Sequence, residues 1–363
     1  MKGELRSLTS ARGLAAWLVV LYHMRASLPW LPVPAMQAAD KGYLAVDFFF
    51  LLSGFVIYLS AHGALVRHGA GAIPDFLYRR FARIYPLYAV MLAGTIAFAA
   101  TLGLTGRDMG GYPWRELPLH VAMMQNWGLT TELQWNHPAW SISAEFAAYL
   151  LFPALVLWTP IGRARRPNLL AGMIILMACL FLVMLEGGQT TLGGDIPRFG
   201  LIRCLVEFSC GALLCAFWLR GRDSDLLSMI LSLSGVALFW GLWSNGRGSE
   251  IWTFPAGAAC LILALAHASG FARNPLHWRP FVYLGQISYA TYLAHFMLWI
   301  GFKILCVDDA GTVGTGTAAG FLLILFIASV ILHEGIEKPG RAWLGRALPR
   351  HRRTGTASPV RLR

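Results

Sequence analysis

The 363-residue chain is 56% hydrophobic and only 13% charged, whereas an ordinary globular protein carries roughly 25% charged residues. A soluble domain with so few charges could not cover its surface, so this composition excludes a soluble enzyme or binding module. The formal charge is +12, but the basic residues lie between apolar runs rather than on one soluble face, which argues against a nucleic-acid partner.

Apolar runs of about 20 residues recur along the chain, and a run of that length crosses a bilayer as a helix. The sequence therefore predicts an all-α, polytopic transmembrane helical bundle that forms one domain. About ten spans are expected, at approximately 12–31, 43–62, 83–104, 139–158, 169–186, 200–219, 226–243, 251–268, 281–304 and 313–333.

Arginines concentrate in alternate connections between these spans, at Arg67, Arg79, Arg80, Arg83, Arg163, Arg165, Arg166, Arg220, Arg222, Arg273 and Arg279. The opposite connections are poorer, with Lys41, Arg107, Arg115, Arg198 and Arg247. The positive-inside rule then places both termini in the cytoplasm. Residues 105–138 form the longest connection, which we expect to be a partly ordered interfacial loop.

The first span, RGLAAWLVVLYH, begins with Arg12 and ends with His23. Eleven residues at about 100° each give roughly 1100°, so both side chains lie on one stripe of the helix, about 16 Å apart along it. Arg12 is expected near the cytoplasmic surface, either as a snorkelling anchor or as a functional cation. His23 is expected towards the outer leaflet, where an ionisable group is functional or is satisfied by a neighbouring helix.

Further polar groups interrupt later spans. Asp47 lies at the outer start of the second span, as a helix-dipole partner or a functional carboxylate. Arg80 and Arg83 are spaced i, i+3 and present two guanidinium groups on one face, which suits either membrane anchoring or phosphate binding. Ser141 and Glu145 are spaced i, i+4 and also share a face.

These motifs, taken in order, resemble those of the acyltransferase 3 family of integral-membrane O-acyltransferases. The matching stretches are RGLAAWLVVLYH, VDFFFLLSGFVI, RRFARIYPLY, PAWSISAEFAAYLLFP, IRCLVEFSCGALL, LGQISYATYLAHF and IEKPGR. The resemblance implies a transmembrane domain over residues 1–340 and a basic cytoplasmic tail over 341–363. The chain departs from many members at Phe146, where they carry a second acidic residue.

The resemblance also implies an activity, which is transfer of an acyl group, usually acetyl, from acyl-CoA to a hydroxyl of a glycan or lipid-linked acceptor. Acyl-CoA would be a co-substrate, with no permanently bound cofactor. The other partners would be membrane lipids, and the location the bacterial inner (plasma) membrane. No metal site is predicted, since the histidines lack the spacing of metal ligands.

Particular residues acquire expected roles from this resemblance. His23 would be the general base, with Asp47 or Glu145 orienting its ring. Ser141 could instead be a covalent nucleophile. The residues expected to bind acyl-CoA are Arg12, Arg80, Arg83 and Tyr88, and those expected to line the acceptor pocket are Trp140, Arg203 and His295.

Two other functional classes stay open on the residues alone. Many spans with buried charges would also suit a proton-coupled transporter of a small solute or a lipid-linked glycan. A structural membrane scaffold is the third possibility, and it accounts poorly for His23.

Overall fold

The computed structural model of the protein describes residues 5–221, 225–246, 248–271, 273–307 and 311–346. The regular secondary structure of these residues is helical, without a β-strand. In chain order the helices are α1 (Arg6–Met24), α2 (Val33–Asp40), α3 (Ala45–His68), α4 (Ile73–Leu104), α5 (Leu117–Val121), α6 (Ala139–Trp158), α7 (Arg166–Glu186), α8 (Ile196–Leu219), α9 (Asp225–Ser244), α10 (Glu250–Ala268), α11 (Arg279–Cys306), α12 (Thr315–Leu332) and α13 (Lys338–Arg346).

Each predicted span corresponds to one long helix, although α1 ends at Met24 rather than at residue 31. A short 3-10 turn and the prolines that follow it cannot continue an α-helix, which explains the earlier end. Seven segments of the described chain are long and apolar enough to cross a membrane, and one of them, Val33–Leu104, contains both α3 and α4. The fold is that of an integral membrane bundle, while the count of ten spans and the cytoplasmic termini stay predictions.

The C-terminal end of the described chain is helical. A π-helical turn, His333–Glu337, follows α12 and leads directly into α13. The predicted boundary between domain and tail, at residues 340 and 341, falls inside α13. Most of the predicted basic tail, residues 347–363, lies outside the described residues, as do Arg222 and Arg247.

Two pairs of glycines allow helices of this bundle to pack backbone against backbone. Helix α1 crosses α11 at Gly13 and Gly285, where a Cβ on Gly13 would lie 2.6 Å from the Gly285 nitrogen. Helix α3 crosses α8 at Gly54 and Gly211, where a Cβ on either glycine would collide with a carbonyl group of the partner helix. Small residues at such crossings are typical of membrane helices. The crossings bring α1 against α11 and α3 against α8.

The long connection over residues 105–138 is folded against the bundle. Trp135 is almost fully buried, and its backbone nitrogen donates to the Gly111 carbonyl at 2.9 Å. Its φ of 59° is in the left-handed region, which a tryptophan adopts only where surrounding contacts hold it. The neighbouring Asn136 amide donates to the Leu293 carbonyl of α11 at 2.9 Å. The connection is therefore fixed beside the middle of α11.

Candidate active site

Arg12 and His23 both contact α11, as their shared stripe on α1 predicts. The Arg12 guanidinium donates to the Gly285 carbonyl from Nη2 at 2.8 Å and from Nε at 3.3 Å. Ten residues further along α11, the His295 ring lies 5.1 Å from the His23 ring, measured between centroids. Helices α1 and α11 thus run side by side, and they hold a cation at one end and two histidines at the other.

An arginine cluster lies at the Arg12 end. Arg83 of α4 pairs with Glu337 of the π-helical turn, and Glu337 also accepts a hydrogen bond from Nδ1 of His333 at 2.8 Å. Arg12 and Arg341 lie close enough to Arg83 for mutual electrostatic repulsion. π-helical turns are rare and are frequent at functional sites. Here the turn places a buried carboxylate among several arginines.

Arg80 adds a fourth cation to this arginine cluster, which we define as Arg12, Arg80, Arg83 and Arg341. Its Nε is buried and has no hydrogen-bond partner among the described residues. Its guanidinium carbon lies 5.9 Å from the centre of the Phe76 ring, and Arg341 repels it. Glu337 beside Arg83 and Glu145 near Arg80 balance only part of the charge of these four arginines, so the cluster is suited to bind an anionic group.

Glu145 lies one helical turn beyond Ser141 on α6, and its side chain is partly buried. Its carboxylate accepts hydrogen bonds from the Ser53 hydroxyl of α3 and, at 2.5 Å, from the Tyr149 hydroxyl. It makes no hydrogen bond to His23. The Ser53 hydroxyl thus links α3 to α6 through a polar contact.

Asp47 belongs to a different group, the buried triad of Asp47, Arg203 and Glu207. Arg203 Nη2 donates to the Asp47 carboxylate at 2.6 Å and Nε donates at 3.1 Å. Both side chains are buried, and Glu207 lies close enough to interact electrostatically with each of them. Neither carboxylate oxygen of Glu207 has a hydrogen-bond partner among the described residues. The expected contact between His23 and Asp47 or Glu145 is therefore not the arrangement found, because both carboxylates are engaged elsewhere.

Aromatic rings and backbone carbonyls contact the histidine pair, His23 and His295, and Arg25 lies close enough to act electrostatically on His23. His295 Nδ1 lies 2.6 Å from the Tyr292 carbonyl, and its Nε2 is buried with no partner among the described residues. The Tyr292 hydroxyl lies 2.8 Å from the Ser141 hydroxyl, and both contact the Pro138 carbonyl. Ser141 is thus connected to the histidine pair through Tyr292.

The folded connection over residues 105–138 covers this end of the bundle. Tyr88 of α4 donates to the His120 carbonyl at 2.7 Å, so its hydroxyl supports the connection rather than the arginine cluster. Trp140 lines a small cleft together with His120 and His137, with room for about one water molecule. Burial lowers the pKa of His120 to about 4 and also lowers that of His137, so both rings are neutral at neutral pH.

Trp140 also connects the cleft to the buried triad. The Arg203 guanidinium carbon lies 5.6 Å from the centre of its indole ring. The three residues that were expected to line one acceptor pocket therefore lie in three different places. Trp140 lines the cleft, Arg203 lies behind it in the triad, and His295 lies beside His23.

Comparison with known sequences identifies the family. The model of the acyltransferase 3 family, an acyltransferase domain, matches residues 5–333. The chain belongs to the acyltransferase 3 family. This membership favours the enzyme over the transporter and the scaffold that the residues alone left open.

Named relatives agree with this family. Acyltransferase MdmB of Streptomyces mycarofaciens is 29% identical over 380 residues, covering 95% of this chain and 94% of that protein. Peptidoglycan O-acetyltransferase OatA of Listeria monocytogenes is 23% identical over 80% of this chain and 48% of its own length. O-acetyltransferase OatA of Staphylococcus aureus is 25% identical over 80% of this chain and 50% of its own length. No solved structure matches the chain. The protein is a membrane O-acyltransferase, and it spans about half the length of the two O-acetyltransferases.

Several residues of this acyltransferase had no role in the sequence interpretation. Arg341 was assigned to the tail, Glu337 was only part of a closing motif, and Glu207 and Tyr292 were not singled out. A glutamate four residues after an arginine inside an apolar span, as in Arg203 and Glu207, is a usable signal, because an intramembrane charge needs a partner.

Proposed function

We propose that the protein transfers an acyl group, with acetyl as the proposed group, from cytoplasmic acyl-CoA to a hydroxyl of an acceptor. The proposed acceptor is a glycan or a lipid-linked molecule at the outer side of a bacterial inner membrane. One observation carries the proposal. Helices α1 and α11 hold the arginine cluster and the histidine pair at opposite ends of one contact, with Arg12 against Gly285 and His23 against His295.

The arginine cluster suits the donor's phosphates. Guanidinium groups bind phosphate oxygens through paired hydrogen bonds, and the Arg80 Nε has no hydrogen-bond partner in the described part of the chain. Glu337 acts as a positioning residue, because its pairing fixes the direction of Arg83. The slender pantetheine arm would then extend along α1, over the roughly 16 Å that separate Arg12 from His23.

His23 is the proposed general base. The acceptor hydroxyl attacks the thioester carbonyl and gives its proton to His23, the carbon–sulfur bond breaks, and the CoA sulfur leaves with that proton. Histidine suits both transfers, since its neutral ring accepts a proton and its charged ring returns one. His295 is the proposed positioning residue, because its Nδ1 is engaged by the Tyr292 carbonyl, while its Nε2, beside His23, has no hydrogen-bond partner within the described ranges.

Ser141 and the carboxylates have supporting roles in this proposal. The Ser141 hydroxyl is hydrogen-bonded to Tyr292 and the Pro138 carbonyl, and no histidine of the described residues is hydrogen-bonded to it, which favours a positioning role over covalent catalysis. The buried triad holds α3 against α8 behind Trp140. Peptidoglycan in the name of one relative is consistent with a carbohydrate acceptor.

Binding and transport measurements on the purified protein test the donor. Addition of CoA or acetyl-CoA to the protein in detergent should raise its thermal unfolding midpoint, and proteoliposomes should move no solute in the absence of acetyl-CoA. Mass spectrometry of surface glycans, with and without the gene, should show acetyl groups that depend on the protein. Solute transport without CoA, together with no stabilisation by CoA, would contradict the proposal.

A further inference from the structure

An open groove of about 600 Å³ lies where α1 and α11 begin, and its lining includes Arg6, His277, Arg279, Tyr283 and Gln286. We call it the entrance groove. Its volume is within the range of small-molecule sites, about 300–1,000 Å³. Neither Arg6 nor Arg279 has an ion pair or a hydrogen bond within the described residues. The entrance groove therefore presents two uncommitted guanidinium groups.

Beside the entrance groove, hydrogen bonds join α1 to the turn that precedes α11. The Ser7 hydroxyl lies 3.2 Å from the His277 ring nitrogen and accepts from the Asn274 amide at 3.0 Å. The Ser10 hydroxyl donates to the Leu276 carbonyl at 2.5 Å. These contacts fix the turn that precedes α11, so the shape of the groove is formed before any ligand arrives.

The groove adjoins the arginine cluster on two sides. Gln286 follows Gly285, whose carbonyl accepts from Arg12. Tyr283 donates to Glu334 at 3.3 Å, and Glu334 belongs to the π-helical turn that holds Arg83. Lys338 donates to the Glu334 carboxylate at 2.7 Å and offsets its negative charge. The groove and the cluster therefore form one positively charged path.

Chemical groups along acyl-CoA follow the same order as side chains along α1. The thioester comes first, then the pantetheine arm, the diphosphate, and the adenosine with its 3′-phosphate. Along α1 the order is His23, Arg12 and Arg6, and Arg6 lies about 9 Å below Arg12. We infer that the entrance groove binds the 3′-phosphorylated nucleotide end of the donor, with Arg6 and Arg279 on its 3′-phosphate. This inference rests on the proposed acyl-CoA donor.

A comparison of CoA with 3′-dephospho-CoA tests it without knowledge of the acceptor. Affinities would be measured by titration calorimetry on the whole protein in nanodiscs of neutral lipid. The parent should bind CoA about 10- to 150-fold more tightly, the range expected for a charged hydrogen bond. Arg6→Gln and Arg279→Gln should each weaken CoA binding and leave 3′-dephospho-CoA binding unchanged. Arg165→Gln, at an exposed arginine outside the groove, should change neither affinity.

Several results would overturn the inference, and they differ from failure of the proposed function. If the parent protein binds CoA and 3′-dephospho-CoA with equal affinity, it does not recognise the 3′-phosphate. If Arg6→Gln and Arg279→Gln weaken the binding of CoA and of 3′-dephospho-CoA equally, the two arginines do not contact the 3′-phosphate. Loss of the CoA preference when phosphatidylglycerol is added to the nanodiscs would show that the groove takes a lipid phosphate. If the parent binds neither ligand, the acyl-CoA donor itself is wrong and the inference falls with it.

Discussion

Replacing Arg203 with methionine should strongly destabilise the protein. The pair that Arg203 forms with Asp47 is inaccessible to solvent, with side-chain exposures of 1% and 0%, and its shortest contact is 2.6 Å. Removing one partner of a buried ion pair costs about 3–5 kcal/mol, because the remaining charge loses its compensation. Here the remaining charge is Asp47, and Glu207 adds a second carboxylate to the same buried space.

Thermal unfolding followed by tryptophan fluorescence measures this effect, since Trp140 lies against Arg203. At roughly 2 °C per kcal/mol for a chain of this size, Arg203→Met should lower the Tm by about 6–10 °C. The double variant Asp47→Leu/Arg203→Met removes both charges and should recover most of that loss. Arg198→Met, at an exposed position of the same helix, is the matched control and should cost less than about 1 kcal/mol.

Two outcomes would refute this reasoning. The ion pair contributes little if Arg203→Met unfolds within about 2 °C of the parent, which corresponds to roughly 1 kcal/mol. The charge argument is wrong if the double variant is no more stable than the single one. In that case the loss would come from packing of the arginine side chain.

Three other predictions follow from the helices and the arginine cluster. In a variant whose exposed native cysteines are replaced by serine, a membrane-impermeant thiol reagent should label a cysteine introduced beside Arg115 and should not label one introduced beside Arg165. The reverse labelling pattern would show that the predicted orientation is wrong. Arg80→Ala and Arg83→Ala should each weaken acetyl-CoA binding about 10- to 150-fold in calorimetry, whereas unchanged affinity in both would exclude a phosphate-binding role. Gly211→Ala should lower the free energy of unfolding by about 1–3 kcal/mol, because the added Cβ would collide with the Leu51 carbonyl. An unchanged Tm would contradict the close crossing of α3 and α8.

Local features of the sequence predicted the helices well. Helix α6 has the predicted bounds, Ala139–Trp158, because a proline begins its apolar run and the run has the length of one span. The common face of Arg12 and His23 also followed from the helical period alone. Such properties depend on neighbours within one helix, so a single sequence contains them.

Contacts between distant helices could not be predicted in the same way. Asp47 and Arg203 are 156 residues apart, and Arg83 and Glu337 are 254 residues apart. Each carboxylate had several possible cationic partners, and only helix packing selects one. The π-helical turn at His333–Glu337 has no sequence signal of its own, yet it brings Glu337 to Arg83. The carboxylate expected beside His23 was misplaced for this reason.

The central proposal is that Arg12 binds the donor and His23 transfers the proton. Its most direct test compares turnover and acyl-CoA binding in folded, size-exclusion-purified variants. His23→Ala should bind acyl-CoA like the parent and lose about 10²- to 10⁴-fold in turnover, because only proton transfer is removed. Arg12→Ala should bind acyl-CoA more weakly and regain part of its turnover at high acyl-CoA concentration. If folded His23→Ala keeps turnover within a few-fold of the parent, His23 is not the base and the proposed mechanism is wrong.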